Sequence, residues 1–265
     1  MSTRLIVCGD YIEIYTTRIS NKKKPPQIGL SLSQDKELYS KKLSHQSYHR
    51  AKNNVKRILL TNLSGKKNTD IFFTLTYAQT MLDYSQAQKD FNRFRSRARK
   101  HGFDFPYIVI SENQIERGIK EGNNGTIHHH GVFFGTGKID IKKLSSIWNH
   151  GFIFLEYIKF DKPPIALALY MTKYLTKQRD NQKHTKYYRT SYNLKRPIEY
   201  KSNNLYIEDI NIPFKVLYKS EYVPFYSEPV KYRLCSGFGG IPPKLKRLLS
   251  LTIDKSQGLA PLSFG

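Results

Sequence analysis

The sequence predicts an α+β fold built on a mainly antiparallel β-sheet with flanking helices. Three observations carry that expectation. Four segments are dense in β-branched and aromatic residues, helical-period segments stand between them, and two of the strands are arranged as a hairpin with a long connection. Before the first of these strands, Ala51, Val55, Ile58, Leu59 and Leu63 recur at helical spacing from about Ser47 to Leu63, and Ser64-Gly65 ends the helix. DIFFTLTYAQ (70–79) reads as a strand. Residues 84–100 return to helix, with Ala87, Phe91, Phe94 and Ala98 on one face and Arg93, Arg95, Arg97, Arg99 and Lys100 around the rest. PYIVISEN (106–113) and TIHHHGVFFG (126–135) are the hairpin strands, joined through the glycine- and asparagine-rich ERGIKEGNNG. A short helix over 138–148 ends at Trp148, FIFLEYIKF (152–160) is a fourth strand, and Pro163-Pro164 opens a helix over about 165–177. Beyond about residue 180 the chain is basic and tyrosine-rich and gives no readable fold.

Composition narrows the function. The 265 residues include 44 Lys and Arg against 21 Asp and Glu, a formal charge of +23. Such an excess draws phosphate backbones by counterion release and points to nucleic acid. No run of about 18 apolar residues suggests a membrane span, and MSTRLIVCGDYIEIY reaches Asp10 and Glu13 too soon for a signal peptide. Two cysteines, Cys8 and Cys235, are too few for a disulfide framework, so a reducing cytoplasm is the expected setting, with no membrane partner. Three segments are expected: a basic N-terminal arm over 1–50, a catalytic domain over 51–200, and a basic tyrosine-rich extension over 201–265. The basic helix, through Arg93, Arg97 and Lys100, and the arm at 20–25 are candidates to contact a nucleic-acid backbone.

Chemistry concentrates in three places. Strand alternation sends His128 and His130 to one face and His129 to the other, so the outer two form a ready pair of imidazole ligands. Glu112 ends the preceding strand and would add a hard oxygen if the two strands pair; Glu116 is the fallback. Two imidazoles and a carboxylate suit Mn²⁺ or Mg²⁺ used to polarise a phosphate. In ALYMTKYLTK, Tyr170 and Tyr174 share a helix face, and Lys173 and Lys177 repeat the spacing on a neighbouring stripe. A tyrosine hydroxyl facing a metal-bound phosphate is a competent nucleophile, and lysines beside it would hold the phosphate.

The order FFTLTY, a Glu-bearing strand, H-x-H before a hydrophobic run, then YxxKYxxK, resembles the HUH endonucleases that initiate rolling-circle replication, particularly the Microviridae type of replication-associated protein and its relatives in phages and Gram-positive plasmids. The likeness runs from about Lys52 to Pro197, supported by AKNNVKRILLTN, WNHGFIFLEYI and SYNLKRPIE; a departure is His129, where the family prefers a bulky hydrophobe. The resemblance implies a ferredoxin- or RRM-like core, His128, His130 and Glu112 as metal ligands, Tyr170 and Tyr174 as nucleophiles and Lys173 as the associated lysine. It further implies nicking of single-stranded DNA at an origin, a 5′-phosphotyrosine adduct, a 3′-OH for the host DNA polymerase, and a host helicase, since no GxxxxGK[ST] motif is present. The location implied is the cytoplasm of a bacterial host. A relaxase or transposase with the same chemistry, and a non-catalytic single-strand-binding protein using the 19 Tyr and 15 Phe, are the alternatives.

Overall fold

The computed structural model describes residues 2–18, 33–114, 125–175, 186–202, 215–223 and 229–237, with side chains from residue 46 onward in the first helix. The fallback ligand at position 116, the arm at 20–25 and the lysine at 177 lie outside the described residues. The chain divides into two compact units, one made of Met1–Gly29 with Arg196–Gly265, the other of Leu30–Lys195.

In the first unit, β1 (Ser2–Cys8) and β2 (Tyr11–Thr17) form a hairpin around Gly9-Asp10. Gly9 takes φ 59°, the left-handed backbone that the first position of a II′ hairpin turn demands. This hairpin is the centre of a five-stranded antiparallel sheet completed from the far end of the sequence.

The second unit carries α1 (Ser33–Asn62), β3 (Ile71–Leu75), α2 (Tyr84–Lys100), β4 (Tyr107–Asn113), β5 (Ile127–Phe133), α3 (Ile141–Trp148), β6 (Ile153–Tyr157), α4 (Pro164–Lys173) and β7 (Arg189–Thr190). Returning to the first unit, β8 (Ile198–Ser202), β9 (Lys215–Tyr222) and β10 (Val230–Ser236) give the strand order β8-β1-β2-β10-β9. An arm over 1–50 is therefore replaced by the hairpin at 2–17 and by a helix that begins at Ser33. Part of the expected C-terminal extension pairs with that hairpin, as in Val7 opposite Ile198.

Unit two is the expected α+β arrangement, with an antiparallel sheet in the order β6-β3-β5-β4-β7. Alternation divides its side chains between two faces. Ile71, Phe73 and Leu75 of β3, Val109 of β4 and Phe133 of β5 pack with Phe91, Phe94 and Ala98 of α2 and with Leu144, Ile147 and Trp148 of α3. Both helices begin on aspartate caps: Asp83 accepts from the N–H groups of Ser85 and Gln86, and Asp140 from that of Lys143. The opposite face receives α4, whose Tyr170 ring lies 6.3 Å from that of Phe72, and α1 packs along α4. Pro163 and Pro164 start α4 where the missing N–H is harmless. The helix ends at Lys173 rather than 177; Tyr174 and Leu175 form a turn, with Leu175 fully buried.

Gly131 of β5 has no room for a side chain. A Cβ there would overlap the Phe73 ring and the carbonyl oxygen of Ile108, and the second obstacle is backbone. Gly131→Ala should destabilise unit two by about 1–3 kcal/mol, read as a Tm loss of roughly 2–4 °C per kcal/mol; an unchanged melting curve would show that β5 can shift to admit the methyl.

Candidate functional site

The β4–β5 register sets the site. Glu112 pairs with His128, Ser111 with His129, and Ile110 with His130. Directly opposed residues share a face, so Glu112, His128 and His130 lie together on the α4 side while Ser111 and His129 point into the aromatic core.

His130 is almost entirely buried and held from three sides. Its Nδ1 shares a hydrogen bond of 3.1 Å with Thr74 Oγ1, the residue opposite it on β3. Its Nε2 stands 3.4 Å from Glu112 Oε2 and makes no hydrogen bond. The Tyr174 ring stacks on its imidazole with centroids 3.9 Å apart and planes 9° from parallel. The His128 ring, also buried, is 6.0 Å away.

Tyr174 donates to the Tyr170 hydroxyl across 2.6 Å. Burial, the Tyr170 hydroxyl bonded to it and the Glu112 carboxylate together push the Tyr174 phenol far above its ordinary value. Tyr170 is half in solvent, 47 % exposed, with the Lys173 ammonium 5.8 Å from its ring centre. The structure therefore brings together five of the residues singled out in the sequence: Glu112, His128, His130, Tyr170 and Tyr174. Thr74 is a sixth that sequence reasoning missed, although its place in FFTLTY, one residue from the core-facing Phe73, put it on the histidine face.

The cation implied by the resemblance can be tested against this geometry. His130 fits: with Nδ1 donating to Thr74, Nε2 keeps its lone pair and is buried toward a carboxylate. Two imidazoles and one carboxylate are a donor set suited to Mn²⁺. Among the described residues no three His, Cys, Asp or Glu side chains already converge closely enough to hold an ion. The His130–Glu112 pair is the part in contact, and His128 is the outlying member.

The residues expected to touch DNA are spread over α2. Arg93 is exposed and lies 3.4 Å from the buried Asp90. Lys100 is exposed at the helix end. Arg97 turns inward, donating to the Trp148 carbonyl at the end of α3. Arg95 does the same, lying over the Tyr107 ring and donating to the carbonyls of Phe103 and Phe105.

Residues 70–179 match the model of a family of replication-associated proteins, the ORF2 type. The matched segment contains Thr74, Glu112, all three histidines and both tyrosines, so the centre of this chain is similar to a replication-associated protein. No curated protein matches the chain. Among solved structures, the chain is similar to the hypothetical protein ORF119 from Sulfolobus islandicus rod-shaped virus 1 at 20 % identity, over 49 % of this chain and 97 % of that one, with a TM-score of 0.31. No helix among the described residues is long and apolar enough to cross a membrane.

On the core face, His129 is wholly buried among Phe91, Trp148 and Tyr77 and bonded to Ser111 Oγ at 2.8 Å. Burial, followed by the Arg189 guanidinium, pushes its imidazole down to about 3. A depressed folded-state value means that the unfolded chain takes up the proton first. The stability contributed by neutral His129 is then complete above about pH 6.5 and falls away as pH drops toward 3. Denaturation of the chain in EDTA should show that acid loss, and His129→Leu should flatten the slope across this window by up to about 1.4 kcal/mol per pH unit. Parallel curves for the two proteins would mean that His129 does not titrate on unfolding.

Proposed function

We propose that this protein is a replication initiator that nicks single-stranded DNA at an origin through a tyrosine nucleophile. The observation that carries it is the stack of Tyr174 on His130, with Glu112 against the same imidazole and the Tyr170 hydroxyl bonded to that of Tyr174. The match of the same segment to a replication-associated family supports it.

In this reading His130, Glu112 and, once its ring closes the gap to His130, His128 hold a divalent cation, Mn²⁺ or Mg²⁺. Bound there, the cation supplies Lewis-acid polarisation of the scissile phosphate. Thr74 fixes the His130 ring and the tautomer that leaves Nε2 able to bind. A tyrosine oxygen attacks phosphorus, the bond to the 3′ oxygen breaks, and the phenolic proton is balanced by protonation of the departing 3′-OH. The 5′ end remains as a phosphotyrosine and the 3′-OH serves as primer for a host polymerase, with unwinding left to a host helicase. Glu112 raises the Tyr174 phenol, so the phenol is held protonated until the charge around Glu112 changes. Lys173, beside Tyr170, is placed to meet the phosphate. Arg93 and Lys100, on the exposed side of α2, would contact the DNA backbone; Lys177 belongs to the same proposal from sequence alone, whereas Arg97 is engaged with Trp148.

The test is a denaturing gel of labelled single-stranded origin DNA incubated with Mn²⁺ and wild type, Tyr170→Phe, Tyr174→Phe or the double variant. Adducts are expected with wild type and none with the double variant, and the single variants assign the two tyrosines. Binding to every origin without an adduct would replace this proposal with a single-strand-binding protein. A second expectation concerns Thr74→Val, which should weaken Mn²⁺ binding by about 10–100-fold, measured by titration calorimetry on the protein alone. Unaltered affinity would show that the Thr74–His130 bond does not orient a ligand.

A further inference from the structure

A cleft of about 490 Å³ opens beside Tyr170, walled by the loop between β6 and α4 and by the outer side of α4. Its floor is apolar, formed in part by Pro164, Leu167 and Leu169, and Phe160 and Tyr170 give it two aromatic rings. Three lysines, Lys159, Lys162 and Lys173, stand around it against one acid, Asp161. Lys159 faces Glu156 at 3.5 Å across a solvent-exposed pair, a contact easily exchanged for another anion.

The loop is built to hold this shape. Ile158 donates its N–H to the carbonyl of Asp70, and Pro163 accepts from Ala166 at the start of α4. Phe160 takes φ 54°, a left-handed backbone that a bulky aromatic residue rarely adopts. Strain of this kind persists where the surroundings enforce it, and it is concentrated at ligand sites.

We infer that this cleft is a subsite for one nucleotide of single-stranded DNA next to the scissile phosphate, an inference that rests on the nicking proposal above. The volume is that of a small-ligand site. An apolar, aromatic floor accepts a base by stacking, whatever its identity, while surrounding lysines meet the flanking phosphates. Tyr170 joins the two places, since its ring lines the cleft and its hydroxyl is bonded to that of Tyr174. A base seated against Phe160 would thus leave its neighbouring phosphate beside the tyrosines.

The experiment is fluorescence anisotropy of labelled dT20 with the full chain in EDTA, so that binding is read without cleavage. Phe160→Gly removes the ring while suiting the left-handed backbone; it should weaken binding about tenfold or more, the scale of one base stack. Phe160→Tyr should restore affinity. Lys159→Gln with Lys162→Gln should lower the slope of log K against log salt by about 1.4, roughly 0.7 for each lost phosphate contact. The inference is overturned if Phe160→Gly and the lysine pair bind dT20 like wild type with the same salt slope. Wild-type adduct formation with origin DNA, run separately in Mn²⁺, separates the two ideas. Adducts with unaltered binding in the variants remove the cleft alone, whereas weakened binding without wild-type adducts keeps the cleft and removes the nicking chemistry.

Discussion

Everything at the site depends on the register between β4 and β5. Three consecutive histidines in a strand must divide between its faces, and the pairing of Glu112 with His128 decides which carboxylate they meet. A slip of one residue would turn His128 and His130 into the aromatic core and leave His129 alone on the α4 side. The core opposes that slip. Gly131 lies against the Phe73 ring, and Phe133 stacks on Phe73 with centroids 4.2 Å apart, an arrangement possible only where β5 offers no side chain. The geometry of the polar face is thus fixed from the apolar one.

The polar face is costly in isolation. Glu112, His128 and His130 are each nearly inaccessible, and burying ionisable groups among apolar neighbours opposes folding. Thr74 and the Tyr174 ring offset part of this for His130. What remains is a carboxylate whose field acts on a buried phenol, raising it. Perturbed groups gathered this way are characteristic of chemical sites more than of structural ones. His129 shows the contrast: it is just as buried and more strongly perturbed, yet it is bonded to Ser111 and enclosed by aromatic rings, which makes it part of the core.

The sequence made the second unit readable because its signals are local. Apolar periodicity placed α2 at its observed ends, strand alternation separated His129 from its neighbours, and the four-residue spacing put Tyr170 beside Tyr174. The first unit was not readable in the same way. Its sheet joins residues nearly two hundred positions apart, as in Arg4 with Glu199, and no local pattern specifies such a partner. The hairpin itself was signalled by Gly9-Asp10 between LIVC and YIEI, and that short run reads as easily as a bare apolar patch. Thr74 escaped notice because a threonine in a strand is ordinary; only the β3–β5 pairing shows it opposite His130. Arg95 and Arg97 look like surface charge in a helical projection, and their inward turn is decided by carbonyls on other elements.

The two tyrosines are held differently, and that bears on how two nucleophiles could alternate. Ala168, Met171 and Thr172 bury one side of α4, and Leu175 anchors the turn that follows, so the backbone beneath both tyrosines is fixed. Tyr170 stands within the helix, half in solvent, whereas Tyr174 occupies the C-cap and lies flat on His130. Their hydroxyls are nonetheless only 2.6 Å apart. Under the proposed chemistry, a phosphate beside one oxygen is already within a side-chain rotation of the other. An exchange of roles then needs no movement of the sheet or of α4. The inner tyrosine gains orientation from the imidazole while the outer one gains access to the incoming strand, a division that follows from a single turn of helix ending at Lys173.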